Sequence, residues 1–189
     1  MTLETQIEQL EAIGIAMNDG VTVDDLLHSF DRNEYEKKPF DALLFMFGSE
    51  IERPPWGRYI SSVAWNFDAE CIVENGDYTR IVDRIAELTG QSDQLRDVSD
   101  SIDLDAGTAS LAYTINGTLR QLQPVVDNDW ADHATINTVL SDFETDDWHF
   151  YGIDNGQSTI LYFLTDETAA KLNSLAGDVA VRMVPKNGG

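Results

Sequence analysis

Asn116-Gly117 separates two runs in which apolar residues recur at every second position, and few dipeptides restrict a fold so strongly. Both residues tolerate positive φ, which a two-residue hairpin turn requires. Before the turn, Leu111, Tyr113 and Ile115 alternate with Ser110, Ala112 and Thr114; after it, a strand is predicted from Thr118 to about Val126. Upstream, Val98, Ile102 and Leu104 alternate with Asp97, Ser99, Ser101, Asp103 and Asp105. The stretch 97–126 is therefore predicted to be a three-stranded antiparallel meander. Asp97, Asp103 and Asp105 share one face of its first strand, where adjacent same-face side chains stand about 6.6 Å apart. Three unpaired carboxylates are too costly to bury, so that face is predicted to meet solvent or a partner.

Elsewhere the apolar period lengthens. Leu3, Ile7, Leu10, Ile13 and Met17 predict a helix over 3–17, stopped by Asn18-Asp19-Gly20. Thr22 caps a short second helix that runs to about Phe30, and Pro39 opens a third that ends at Gly48. Residues 50–59, around Pro54-Pro55-Trp56-Gly57, read as a loop. Val63, Trp65 and Phe67 mark a strand, and a helix begins at Asn75-Gly76-Asp77 and ends at Gly90. Asp132 begins a helix over about 132–145. A hairpin follows (Trp148–Ile153 and Ser158–Leu164), then a helix capped by Thr165 and ended by Gly177, then a strand through Val179, Val181 and Met183. Hairpins with interspersed helices predict an α+β fold: a mostly antiparallel sheet, helices largely on one face and a helical N-terminal portion. At 189 residues a single domain is expected over 1–189, with 1–48 helical and 60–184 forming the α+β core.

Charge decides what such a fold is predicted to meet. The chain holds 34 Asp and Glu against 12 Lys and Arg, a net charge of −22. Residues 97–170 concentrate fourteen acids against Arg120 alone, a net of −13. Such a field repels phosphate backbones and anionic membrane surfaces and steers basic partners inward, so neither nucleic acid nor membrane is expected. Aspartate exceeds glutamate by 22 to 12 with only four lysines, a composition that also suits plain solubility or a salty cytoplasm. With one cysteine, no disulfide can form within the chain. Met1–Glu8 lacks a basic, then apolar, leader pattern, and the longest apolar stretch, Ala42–Phe47, falls far short of the ~20 residues of a membrane span. A cytoplasmic protein without a cofactor is expected.

No phosphate-binding loop, dinucleotide fingerprint, nucleophile elbow or zinc-protease helix occurs. Asp127-Asn128-Asp129 starts like a calcium loop, but Trp130-Ala131-Asp132 follows where a glycine must turn the chain. His28, His133 and His149 are dispersed. Cys71, beside Asp68, Glu70 and Glu74, reads as a small hydrophobe with a raised thiol pKa. Three constellations remain. Asp127, Asp129, Trp130, Asp132 and His133 offer carboxylates for Mg²⁺ or Mn²⁺, a helix cap at Asp132, or an aromatic-and-acid surface for a basic partner. Asp146, Asp147, Trp148 and His149 repeat the pattern, with Trp148 expected in the core. The strand Trp65–Phe67 runs into Asp68, Glu70 and Cys71, with its rings expected to pack. Arg53 and Arg58 flank the aromatic pair of the 50–59 loop, which suits an acidic or planar ligand if it is not an ordinary connection.

Tyr35-Glu36-Lys37-Lys38-Pro39-Phe40 with Leu43-Leu44 and Gly48, Phe67-Asp68-Ala69-Glu70-Cys71-Ile72, Gly76-Asp77-Tyr78 and Asp127-Asn128-Asp129-Trp130 together resemble a family of small, uncharacterised acidic bacterial proteins. In size, acidity and α+β make-up the chain is also similar to immunity proteins of bacterial toxin systems. The resemblance spans about residues 35–175 and carries no catalytic residue. It implies an inhibitor that neutralises a basic, nuclease-like toxin; the surface expected to meet that toxin, read from the charge and not from the resemblance, is made by Asp97, Asp103, Asp105, Asp127, Asp129, Trp130, Asp132, Asp146 and Asp147. The alternatives are a divalent-metal-dependent enzyme using Asp127, Asp129 and Asp132, or a mimic of DNA.

Overall fold

Thr2 caps the first helix by accepting the amide of Thr5, and α1 runs Leu3–Ala12. It ends well before the predicted Met17, because Gly14 turns at φ +93° and sends Ile15 into full burial. The computed structural model describes residues 1–156 and 158–185. Thr22 and Asp25 cap α2 (Val23–Ser29) reciprocally. A helix with no counterpart in the sequence reading, α3 (Arg32–Lys37), follows. Pro39 does not open the next one: α4 (Asp41–Phe47) starts after Phe40, which turns at φ +71°. Gln6 explains the bend. Fully buried, its amide donates to the Tyr35 carbonyl at 2.9 Å and accepts the Phe40 N–H at 2.7 Å, holding a bulky residue in a left-handed conformation that no local signal predicts.

The remaining elements are β1 (Ala64–Asp68), α5 (Asp77–Leu88), β2 (Leu95–Asp103), β3 (Thr108–Ile115), β4 (Thr118–Leu122), α6 (His133–Phe143), β5 (Trp148–Asp154), β6 (Ser158–Thr165), α7 (Asp166–Ala176) and β7 (Val181–Arg182). The fold is α+β, with the strands divided between two antiparallel sheets, one of order β1-β6-β5-β7 and one of order β2-β3-β4. The last strand is two residues long, shorter than the predicted 179–183. No helix among the described residues is long and apolar enough to cross a membrane.

Two compact units emerge. The first holds residues 1–67 and 151–182; the second holds 68–150 and resumes at Met183. In the first, Leu10, Leu26, Leu43, Phe47, Tyr162 and Leu172 belong to one buried core, and Tyr162 satisfies its hydroxyl on the Leu44 carbonyl at 2.8 Å. In the second, Tyr78, Val82, Ile85, Tyr113, Val139, Leu140 and Phe143 are buried.

The β3–β4 turn forms as predicted, with Asn116 and Gly117 both at positive φ. The β2–β3 register is less regular. Arg96 faces Thr114 and Ser99 faces Ala112, so Asp97 and Val98 together stand against one residue. This bulge, with Asp97 at φ +55°, resets the alternation, and Asp100 then pairs with the buried Leu111. Asp100 is therefore turned toward α5, where its carboxylate accepts the amides of Gly76 (2.6 Å) and Thr79 (3.0 Å). It supplies the cap that Gly76, lacking a side chain, cannot.

Candidate functional site

The nine residues singled out from the sequence lie in the second unit, which carries eighteen carboxylates against four arginines over residues 68–150, a net of −14. The structure distributes them between the two ends of its helices.

At the N-terminal ends of α5 and α6, two loops distant in sequence pair with each other. Glu70 and Asp127 each bridge to Trp130; the Ala131 N–H donates to the Ala69 carbonyl at 2.8 Å and the Ile72 N–H to the Asp129 carbonyl at 2.9 Å. The backbone pairing thus brings the segment with Asp68 and Glu70 alongside the one with Asp127, Asp129 and Trp130, a residue that is 36% exposed. Neither Arg nor Lys forms an ion pair with these four carboxylates among the described residues. The hydroxyl of Tyr78, in the first turn of α5, bonds the Asp132 amide at 3.0 Å and ties the two helix starts together. The end of β2 lies against the same pole, since the Ile102 N–H donates to Asn75 Oδ1 at 2.6 Å. Asp103 and Asp105 follow directly, both exposed, with Asp103 accepting the Ala106 amide.

The other three aspartates stand apart. Asp97 sits on the bulge, sharing a shallow cleft with Asp83 and Glu87 in the second half of α5. Asp146 and Asp147 occupy the exposed α6–β5 turn. The eleven residues of α6 place that turn about 16 Å from Asp132. Trp148, expected in the core, is 42% exposed there.

Several acids are spent internally. Asp132 is the N-cap of α6, its carboxylate accepting the Thr135 amide (3.0 Å) and hydroxyl (2.7 Å). Asp142 is only 7% exposed and binds Arg120 through two oxygens while accepting the Tyr113 hydroxyl at 2.8 Å. Asp77 is buried against Arg80 and accepts the amides of Val73 and Glu74. No group of three His, Cys, Asp or Glu among the described residues is placed to hold a metal ion, so the geometry offers no support to the metal-enzyme alternative. Cys71 is half-buried, and burial, with Asp68 beside it, pushes its thiol up to about 11.

The sequence presented 65–71 and 127–133 as separate constellations. Their union around Trp130 depends on backbone pairing between loops, which leaves no periodic trace. In the first unit, Arg53 and Arg58 are directed to an acid of the chain itself. Both point at Asp25, with Arg53 Nη2 at 2.7 Å and Arg58 Nη2 at 3.6 Å from its Oδ1. No protein-family model matches the chain, and no curated protein or solved structure matches it.

Proposed function

We propose that the chain is a binding protein whose second unit engages a basic protein surface, in its most specific form as an immunity protein that blocks a cationic toxin. The observation that supports this reading is the paired-loop pole. Its paired segments carry Trp130 together with Asp68, Glu70, Asp127 and Asp129, and Asp103 and Asp105 extend the same negative field. An exposed tryptophan on a segment rich in carboxylates that form no ion pair with Arg or Lys among the described residues suits an Arg- or Lys-rich partner, offering a ring for cation–π contact and charge for steering.

Capture from a lysate of the source cells tests it. The wild-type chain is compared with a Glu70→Gln/Asp127→Asn/Trp130→Ala variant of unchanged circular dichroism. A basic protein retained by the wild type, released by high salt and lost by the variant is expected, and co-expression should relieve that protein's toxicity. Identical recoveries by both chains would remove the reading.

A further inference from the structure

We propose that the cleft walled by Trp56, Tyr59 and Trp65 in the first unit binds a quaternary or N-methylated ammonium group. It goes beyond the acidic pole and uses different residues, so either reading can fail alone.

The cleft measures about 510 Å³, within the size range of small-ligand sites. Phe45, Tyr59, Trp65 and Trp56 supply aromatic lining, and among the described residues Glu50 and Glu52 supply the only charges there. Trp56 is 68% exposed, the most solvent-accessible aromatic of the chain's described core and rim residues, yet the loop that carries it is fixed from both sides. The Ile51 N–H donates to the Arg58 carbonyl (2.7 Å), the Ile60 N–H to the Ser49 carbonyl (3.1 Å), and the Gly57 N–H to Glu50 Oε1 (2.7 Å). Arg53 and Arg58 lock the loop onto the buried Asp25. On the other wall, the Trp65 ring packs on Phe67 at 5.2 Å between centroids, and Asn66 Nδ2 donates to the Phe45 carbonyl (3.0 Å) and Ser49 Oγ (2.8 Å). The walls are held open before any ligand arrives, which lowers the ordering cost of binding.

The lining selects the ligand class. Anions are disfavoured, because among the described residues no Lys or Arg lines the cleft and the charges that do are carboxylates. A bare metal ion or ammonium would have to exchange a firm hydration shell for ring faces, and two carboxylates, one already accepting the Gly57 amide, do not compensate. A neutral apolar group gains nothing from Glu50 and Glu52, which are exposed and solvated, whereas a cation is attracted by both. An alkylated ammonium is weakly hydrated, presents methyl groups to the rings and carries the positive charge their π-faces attract. Its source is a free small amine or a methylated lysine on a protein.

Tryptophan fluorescence titrations distinguish these. Tetramethylammonium and choline are expected to saturate the signal, with the neutral carbon isostere 3,3-dimethylbutanol at least about tenfold weaker. Trp56→Ala, at an exposed position, should weaken choline by at least about tenfold, while Trp148→Ala leaves it unchanged. Glu52→Gln should weaken choline and not the isostere. A trimethyl-lysine peptide at least about tenfold tighter than choline assigns the site to a protein ligand; equal affinity assigns it to the free amine. Failure of every cation to saturate below about 100 mM, an isostere equal to choline, or an unaffected Trp56→Ala would overturn the proposal.

Discussion

Asp25 shows how much one side chain can organise. It is 4% exposed, and burial by itself raises the pKa of a carboxyl. The Thr22 amide and hydroxyl and the Arg53 guanidinium outweigh that and hold it at about 2. An unfolded aspartate titrates near ~3.9, so the unfolded chain takes up the proton first on acidification. The stabilisation is therefore complete above about pH 4 and disappears as the pH falls toward 2. Asp25→Asn should cost about 2 kcal/mol at pH 7 in urea denaturation, because it leaves two guanidiniums facing a neutral amide. The gap between variant and wild type should narrow below about pH 4 and close as the pH reaches about 2; a gap independent of pH would show that the charge is not what matters. Cys71 gives a second single-residue expectation. With its thiol pushed up to about 11, native-state labelling by a disulfide reagent at pH 8 should run about 100-fold slower than in denaturant. Equal rates would mean that the thiol is open and ionisable.

Between elements, what holds is frequently invisible to periodicity. Gly48 closes α4 at φ −81°, a conformation open to any residue, so its requirement for glycine is not conformational. A Cβ there would lie 2.3 Å from Asn66 Oδ1 and 2.8 Å from the Asn66 backbone nitrogen, where β1 crosses the helix end and the Asn66 N–H bonds the Gly48 carbonyl. Gly48→Ala should cost about 2 kcal/mol in thermal or urea unfolding. Asn66→Ala added to it should recover only part, because the backbone contact remains. Arg120 and Asp142 link β4 to α6 in the same hidden way. Arg120→Ala should cost about 3 kcal/mol, more than Arg80→Ala, whose guanidinium is largely in water. The contrast explains what could be read in advance. Asn116-Gly117, the Thr165 and Asp132 caps and the α5 stripe are local patterns, and the elements they predict are present. The early end of α1, the Phe40 bend and the Asp97 bulge are set by Gly14's turn, by Gln6 and by the β3 partner strand, none of which strict helix or strand periods report. The candidate site divided likewise. The acids of 127–132 were legible as a cluster, but their junction with Asp68 and Glu70, and the commitment of Arg53 and Arg58 to Asp25, arise from pairing across long sequence distances.

At the scale of the chain, self-repulsion competes with burial. Each unit is acidic on its own: the first carries sixteen carboxylates against seven Lys and Arg, the second eighteen against four over 68–150. Like charges raise the free energy of the compact state more than that of the expanded chain, and salt relieves the difference. Salt also weakens attractive pairs, but the pairs that matter most here are those of Asp25 and Asp142, whose carboxylates are buried and poorly screened. Repulsion among exposed aspartates should therefore respond first. Raising NaCl from about 0.02 to 0.3 M shortens the Debye length from roughly 20 to 6 Å and so screens repulsion between exposed groups farther apart than that. The melting temperature should rise by about 5 °C, the equivalent of one to two kcal/mol for a chain of this size. An equimolar series of sucrose, which is uncharged, should not reproduce the rise at these concentrations. In the Glu70→Gln/Asp127→Asn background the increment should shrink, since part of the repulsion is already gone. A flat or falling melting temperature would mean that attractive surface pairs outweigh repulsion, and that the acidity does not strain the fold.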